Sequence, residues 1–186
     1  MVLVCKHGAR LHVHSLILSK WSLVIGSFPG VAQRRNSIDG AKEGLTEFPV
    51  DDPPDVWRAV LGLLYPVTPV TELDWDNVES IYELADKYNM PGVVERCESF
   101  LMSPRCSLSP NAQDNNYVLK WLAFSASYRQ HKLKEKCMQY IRLTYRSIDE
   151  LRNPPEGGYL RSVLANHPAG VQYIVDILSF VMQQRR

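Results

Sequence analysis

Three histidines stand close together at the start of the chain, His7, His12 and His14 in MVLVCKHGARLHVH. On a strand, His12 and His14 share a face because side chains alternate, and His7 from a neighbouring strand could help them close around a metal such as zinc. No carboxylate or cysteine cluster completes that set, so a metal-binding enzyme built on the first hairpin is the remote reading. Cys97 and Cys106 flank a bend and could be drawn as a redox pair. Cys97, however, lies on an apolar helical stripe that wants a small hydrophobe, and a buried inert thiol is expected there. Gly26-Ser27-Phe28-Pro29-Gly30 sets a serine between glycines, but in the second slot and with no strand before it, which makes a loop rather than a nucleophile elbow. Gly40 and Gly44 lack the following Lys-Ser/Thr of a phosphate cradle. The basic doublets Arg34-Arg35 and Arg185-Arg186 carry no interleaved aromatics and read as solvated. No catalytic residue, metal set or cofactor site emerges, and an enzyme is not expected.

The elements that would hold these residues belong to a chain of 186 residues, 45% of them apolar, enough for one good core or two small ones. Twenty-one Lys and Arg stand against twenty Asp and Glu, so no broad field is expected to draw polyanions, and nucleic acid is an unexpected ligand. Four cysteines without a CxxC pair read as reduced thiols of a cytoplasmic or nuclear protein. The apolar run before Lys6 is too short for a signal-peptide core, and no later stretch is long enough to span a membrane.

Residues 2 to 14 alternate in polarity around a Lys6-His7-Gly8 break, a hairpin pattern with Gly8 in the turn. In SLILSKWSLVIGSF the apolar residues are too dense for one stripe and predict two short helices, with Ser15, Ser19 and Ser22 available as N-caps. Residues 29 to 44 read as a surface loop, and LTEFPV as one short strand. Asp51-Asp52-Pro53-Pro54 favours a helix start, with carboxylates at the positive end of the dipole and Pro in the first turn. The Asp51-Asp52 pair could also serve as an acidic docking spot. Val56, Trp57, Val60, Leu61 and Leu64 then form one stripe, stopped by Tyr65-Pro66, and Asp74 caps a helix over residues 76 to 88. After the Asn89-Met90-Pro91-Gly92 break the helical spacing resumes through Val93, Cys97 and Leu101. SPRCSLSPNAQDNN is poor in apolar residues and reads as a linker, beyond which Tyr117 to Tyr128, Leu133 to Ile141 and two further segments near residues 160 and 171 are helical. A capping box is expected at Ser147 to Glu150.

Three stretches carry a resemblance to the BTB/POZ domain family. LHVHSLILSKWSLVIGSF is similar to the family's strand, histidine and first helix pair, with His14, Leu18 and Ser22 at matching positions. FPVDDPPDVWRAVLGLLYP resembles its next strand and helix through Val50, Asp51, Val56, Leu63, Leu64 and Tyr65. DNVESIYELADKYNMPGVVERCESFL resembles its following helix pair through Asn77, Val78, Ala85, Asp86, Tyr88, Met90, Cys97, Glu98, Phe100 and Leu101.

The resemblance covers residues 1–103 and implies an α+β fold, a small mixed sheet flanked by helix pairs. Residues 104–116 are then a linker, and residues 117–186 are similar to the all-α BACK-type extension. The implied function is a protein-interaction module. It would form a homodimer through Val2, Leu16, Ile17, Trp21 and Val24, and recruit a partner through a groove containing Phe28, Val31, Asp51 and Tyr65. The family often docks on the cullin scaffold of a ubiquitin ligase, which makes a substrate adaptor one expectation and an oligomerisation scaffold without a ligase role the other. Cullin-binding members carry a hydrophobic-x-Glu element, and the corresponding loop here reads FPGVAQRRNS, with Val31 in place and Gln33 where the acid stands. His14 is expected to be hydrogen-bonded and partly buried, and His12 to face solvent.

Overall fold

The computed structural model describes residues 1–28, 46–65 and 71–145. Val31, Gln33, both basic doublets, the capping box at Ser147 and the two last expected helices lie outside them. Packing divides the chain into two compact units, Met1–Phe100 and Leu101–Arg186.

The first unit opens with β1 (Val2–Val4) and β2 (Arg10–His12), joined by a single tight turn over Lys6–Gly8. Two successive left-handed residues reverse the chain there, His7 at φ 61° and Gly8 at φ 76°. Glycine adopts that conformation without cost, whereas His7 must be held in it by its surroundings. The Cys5 N–H bonds to the Ala9 carbonyl at 2.7 Å and closes the loop. Val2 pairs with His12 and Val4 with Arg10 in antiparallel register. On its other side β1 pairs in parallel with β3 (Glu47–Pro49), Val2 opposite Glu47 and Val4 opposite Pro49. The sheet order is therefore β2-β1-β3, with β1 satisfied along both edges and Val2 and Leu3 wholly buried.

A parallel pair cannot be closed by a tight turn, so the chain must cross over between β2 and β3. The crossing carries α1 (Ser15–Trp21) and α2 (Leu23–Ser27). Ser22 makes the joint: its Oγ accepts from the Ile25 N–H at 3.0 Å and donates to the Tyr88 carbonyl at 2.6 Å. Ser22 is thus the cap the spacing suggested. Ser15 is instead the first helical residue, and the Ser19 hydroxyl donates back to the Leu16 carbonyl.

Next comes α3 (Pro54–Leu64), and here the expected capping by Asp51-Asp52 is corrected. Pro53 is the N-cap, with no side-chain cap bond. The Asp52 carboxylate is engaged elsewhere, by Lys87 Nζ at 2.7 Å and the Tyr88 hydroxyl at 2.6 Å. Two charged or hydroxyl donors outbid a backbone N–H for a carboxylate that is mostly buried. Asp74 does nucleate the turn before α4 (Val78–Lys87): its Oδ1 accepts from the N–H groups of Asp76 and Asn77, and Asn77 Oδ1 accepts from the Asp74 N–H. α4 ends in a Schellman motif, with Asn89 at φ 48° and the Met90 N–H reaching the Ala85 carbonyl at 2.8 Å. α5 (Pro91–Met102) follows at once.

Trp57, Val60 and Leu64 of the expected α3 stripe are buried, as are Val78, Ile81, Tyr82, Ala85, Tyr88, Val93 and Cys97, while Val56 and Leu61 are half-buried. Trp57 and Tyr88 rings lie 4.9 Å apart. The indole Nε1 of Trp57 is buried without an acceptor among the described residues. Such a group costs about 1–3 kcal/mol, which the surrounding ring packing has to offset.

In the second unit the stretch 104–116 is not bare connecting chain. Cys106, Leu108 and Ser109 are buried, Ser109 and Tyr117 form a parallel bridge, and the Ser109 hydroxyl bonds to Asp114. Polar residues paired with one another keep this loop packed, a pattern that composition alone reads as a linker. α6 (Val118–Ser127) is buried almost all round, with Leu119, Ala123 and Phe124 added to the expected stripe. It ends in a second Schellman motif at Arg129, φ 55°, where the Gln130 N–H meets the Ser125 carbonyl at 2.7 Å. α7 (His131–Thr144) buries Leu133, Cys137 and Ile141, the stripe read from the sequence.

Gly92 has a steric role. A Cβ there would sit 2.5 Å from Cζ3 of Trp21, so the bare backbone of α5 is what admits the indole. Overpacking of this kind costs roughly 1–3 kcal/mol. Gly92→Ala is expected to lower the urea midpoint, and the loss should vanish in a Trp21→Ala background; a loss that persists there would place its origin elsewhere.

Candidate interaction surface

α1 and α2 are amphipathic in an unusual direction. Leu18 and Ile25 turn into the core, while Leu16 is 63% exposed and Leu23 is 65% exposed. Ile17 and Val24 are half-buried beside them. Leu143 of α7 is likewise exposed, and each of these leucines would gain about 1.5–3 kcal/mol on full burial. Of the residues expected at a dimer contact, Leu16, Ile17 and Val24 lie on this face, and Leu23 was missed because its neighbours mask its phase in so dense an apolar run. Trp21 is half-buried, laid against Gly92 with the Arg96 guanidinium 5.5 Å from its ring centre. Val2 is different. As part of the central strand it is 0% exposed, so its side chain is spent on the chain's own core and offers no surface to a partner.

The described residues of the expected groove engage separate neighbours. Phe28 stacks on Phe48 of β3 at 5.0 Å. The Tyr65 hydroxyl accepts from the His14 backbone N–H at 2.9 Å, tying the end of α3 to the start of α1, and its ring lies 5.8 Å from the imidazole. Asp51 is exposed, whereas its neighbour Asp52 holds Lys87 and Tyr88. Burial, followed by the hydrogen bond to Asp52, pushes the Tyr88 phenol far above its usual range and keeps it a donor.

Sequence reasoning did not mark a shallow depression of about 410 Å³ where α4 turns into α5. Pro91 and Val94 line it above the fully buried Ala85 and Met90, and Asp86, Glu95 and Glu98 stand around it. Helical spacing within α5 puts Val94, Glu95 and Glu98 on one side, but only the Schellman turn brings Asp86 and Met90 to them.

The histidines do not gather. His7 sits on the exposed turn, and His12 and His14 are exposed, so His14 contributes its backbone rather than a buried imidazole. Among the described residues no group of three or more His, Cys, Asp or Glu could hold a metal ion. All four cysteines are free thiols in buried positions. Desolvation pushes Cys97 and Cys137 up to about 12, and raises Cys5 and Cys106 as well. Lys136 lies near Cys106, its ammonium donating to the carbonyls of Leu101, Ser103 and, at 2.8 Å, Cys106. Burial lowers its pKa, but three acceptors occupy its three protons.

A three-stranded mixed sheet, a crossover helix pair with open leucines and two further helix hairpins define a module built for contact with other proteins. The family model described as BTB/POZ domain matches residues 1–104, and the chain belongs to that family. BTB/POZ domains are protein-interaction modules. The "BTB and MATH domain-containing protein 38" of Caenorhabditis elegans is similar to this chain, 32% identical over 87 residues. That alignment covers 46% of this chain and 19% of the relative, so the chain corresponds to about a fifth of that protein.

Thiol chemistry checks the buried cysteines. At about pH 8 a water-soluble disulfide reagent should label native Cys97 and Cys137 far more slowly than free cysteine, and all four thiols at once after denaturation. Because folding raises the pKa of Cys97 and Cys137 above the usual 9.0, their contribution to stability is complete below that pH and is lost as the pH climbs towards 12. Rapid labelling of either thiol in the native protein would contradict the packing.

Proposed function

We propose that this BTB/POZ chain is a non-enzymatic module that forms a homodimer through the α1–α2 face and recruits a partner protein, acting in the cytoplasm or nucleus. The observation that carries the reading is the pair of open leucines, Leu16 and Leu23, on the one crossover helix pair. A second copy of the same face would cover them by an isologous contact. Buried reduced thiols suit a reducing compartment. The helices beyond residue 116 act as a BACK-like extension in this reading. Their support is the α6–α7 helix pair that follows the family match.

For the recruited partner, the cullin scaffold of a ubiquitin ligase is the narrower reading, with Phe28, Val31, Asp51 and Tyr65 as contact residues. Gln33 in place of the family's acid favours the other reading, an oligomerisation scaffold without a ligase role.

Light scattering on the full chain should give a dimer mass. Leu16→Asp combined with Leu23→Asp should weaken the dimer at least tenfold, since two buried leucines are worth about 3 kcal/mol or more, while the circular dichroism spectrum stays unchanged. A wild-type monomer at high concentration defeats the dimer. For the partner, a pull-down with purified cullin should retain the wild type above an Asp51→Lys, Val31→Asp control if the adaptor reading holds. Equal retention of the two leaves the scaffold reading standing.

A further inference from the structure

The near-neutral total charge conceals a segregation that the whole-chain balance does not reveal. Met1–Phe100 carries nine Lys and Arg against fourteen Asp and Glu, whereas Leu101–Arg186 carries twelve against six. The whole-chain balance therefore hides an opposite net charge in each unit. In the second unit the excess falls within residues 101–145, where seven Lys and Arg face two acids. Lys136 is tied to carbonyls, but Arg129 and Lys132 are exposed where α6 turns into α7, and Lys134 two residues further on is half-buried. In the first unit the acids Asp86, Glu95 and Glu98 surround the apolar depression at the α4–α5 turn, and no cation is among its lining residues.

We propose that copies of this chain associate head to tail, the Arg129–Lys134 corner of one docking into the α4–α5 depression of the next. Lysine and arginine suit such a site doubly. Their aliphatic stems pack on Pro91 and Val94, while their charged heads meet the exposed carboxylates of Asp86 and Glu95. A polyanion fits worse, because the basic corner belongs to a chain whose larger unit is net acidic and repels it. The contact is heterologous, joining two different patches, so it leaves the α1–α2 face free and can link dimers into larger assemblies. It is also distinguishable from that face by its salt dependence, since exposed charges are screened within about 10 Å at 0.1 M salt and apolar burial is not.

Sedimentation of the full chain in the Leu16→Asp, Leu23→Asp background separates this contact from the leucine face. Mass should rise with protein concentration at low salt and fall to the monomer at high salt. Asp86→Lys with Glu95→Lys, and separately Arg129→Glu with Lys132→Glu, should each weaken the association at least tenfold. An equimolar mixture of the two charge-reversed proteins should form a complex again, because each reversed patch then finds its complement. Association that ignores salt, survives both reversals or is not restored on mixing overturns the proposal. So does a chain that stays monomeric while its basic corner binds a single-stranded oligonucleotide.

Discussion

The first unit hangs on Tyr88, the last residue before the α4–α5 turn. Its hydroxyl donates to Asp52 at 2.6 Å, its ring leans on Trp57 at 4.9 Å, and its carbonyl accepts the Ser22 hydroxyl at 2.6 Å. One side chain and one carbonyl thereby join the start of α3, the core of α3 and the joint between α1 and α2. Each of the two hydrogen bonds is worth only about 1 kcal/mol net, but both are at least partly buried and would leave an unpaired group if broken. The left-handed Asn89 immediately after it closes α4 by backbone bonds alone, so the node sits at a point the chain cannot slide past.

That anchoring explains how the α1–α2 face can stay apolar and open. Helices of seven and five residues are too short to hold themselves in water, and with both faces apolar they would collapse inward if they were loosely attached. Here Leu18 and Ile25 fix one side in the core, Tyr65 holds the His14 N–H at the front, and Ser22 is locked from below by Tyr88. Gly92 lets Trp21 settle against α5, which pins the back of α1. What remains, Leu16 and Leu23, is held outward by a scaffold that has no other place for it.

Much of this was legible in the residue order. The hairpin, the two short helices, the stop at Tyr65 and the buried stripes of α3, α4 and α7 are all local, written in period-two or helical spacing and in turn residues whose backbone preferences operate over a few positions. The Tyr88 motif was also recognisable, as part of the pattern shared with the BTB/POZ family. The misreadings have a common cause. Asp52 looked like a cap because its neighbours in sequence allow it, but its partners are 35 and 36 residues away. The stretch 104–116 looked like a linker because its polar groups satisfy one another in pairs rather than by burial against apolar surface. Val2 looked like a contact residue until β3 arrived in parallel on its open side.

By itself, then, the sequence determined the class of fold, the order of its elements and the family to which it belongs, because backbone propensity and apolar periodicity are short-range and survive without context. Only the tertiary structure decided which apolar residues the core would take and which it would leave exposed. It also decided where opposite charges would collect. Those outcomes depend on long-range pairings, β1 with β3 and Asp52 with Tyr88, that compete for the same residues and are settled only when the chain closes on itself.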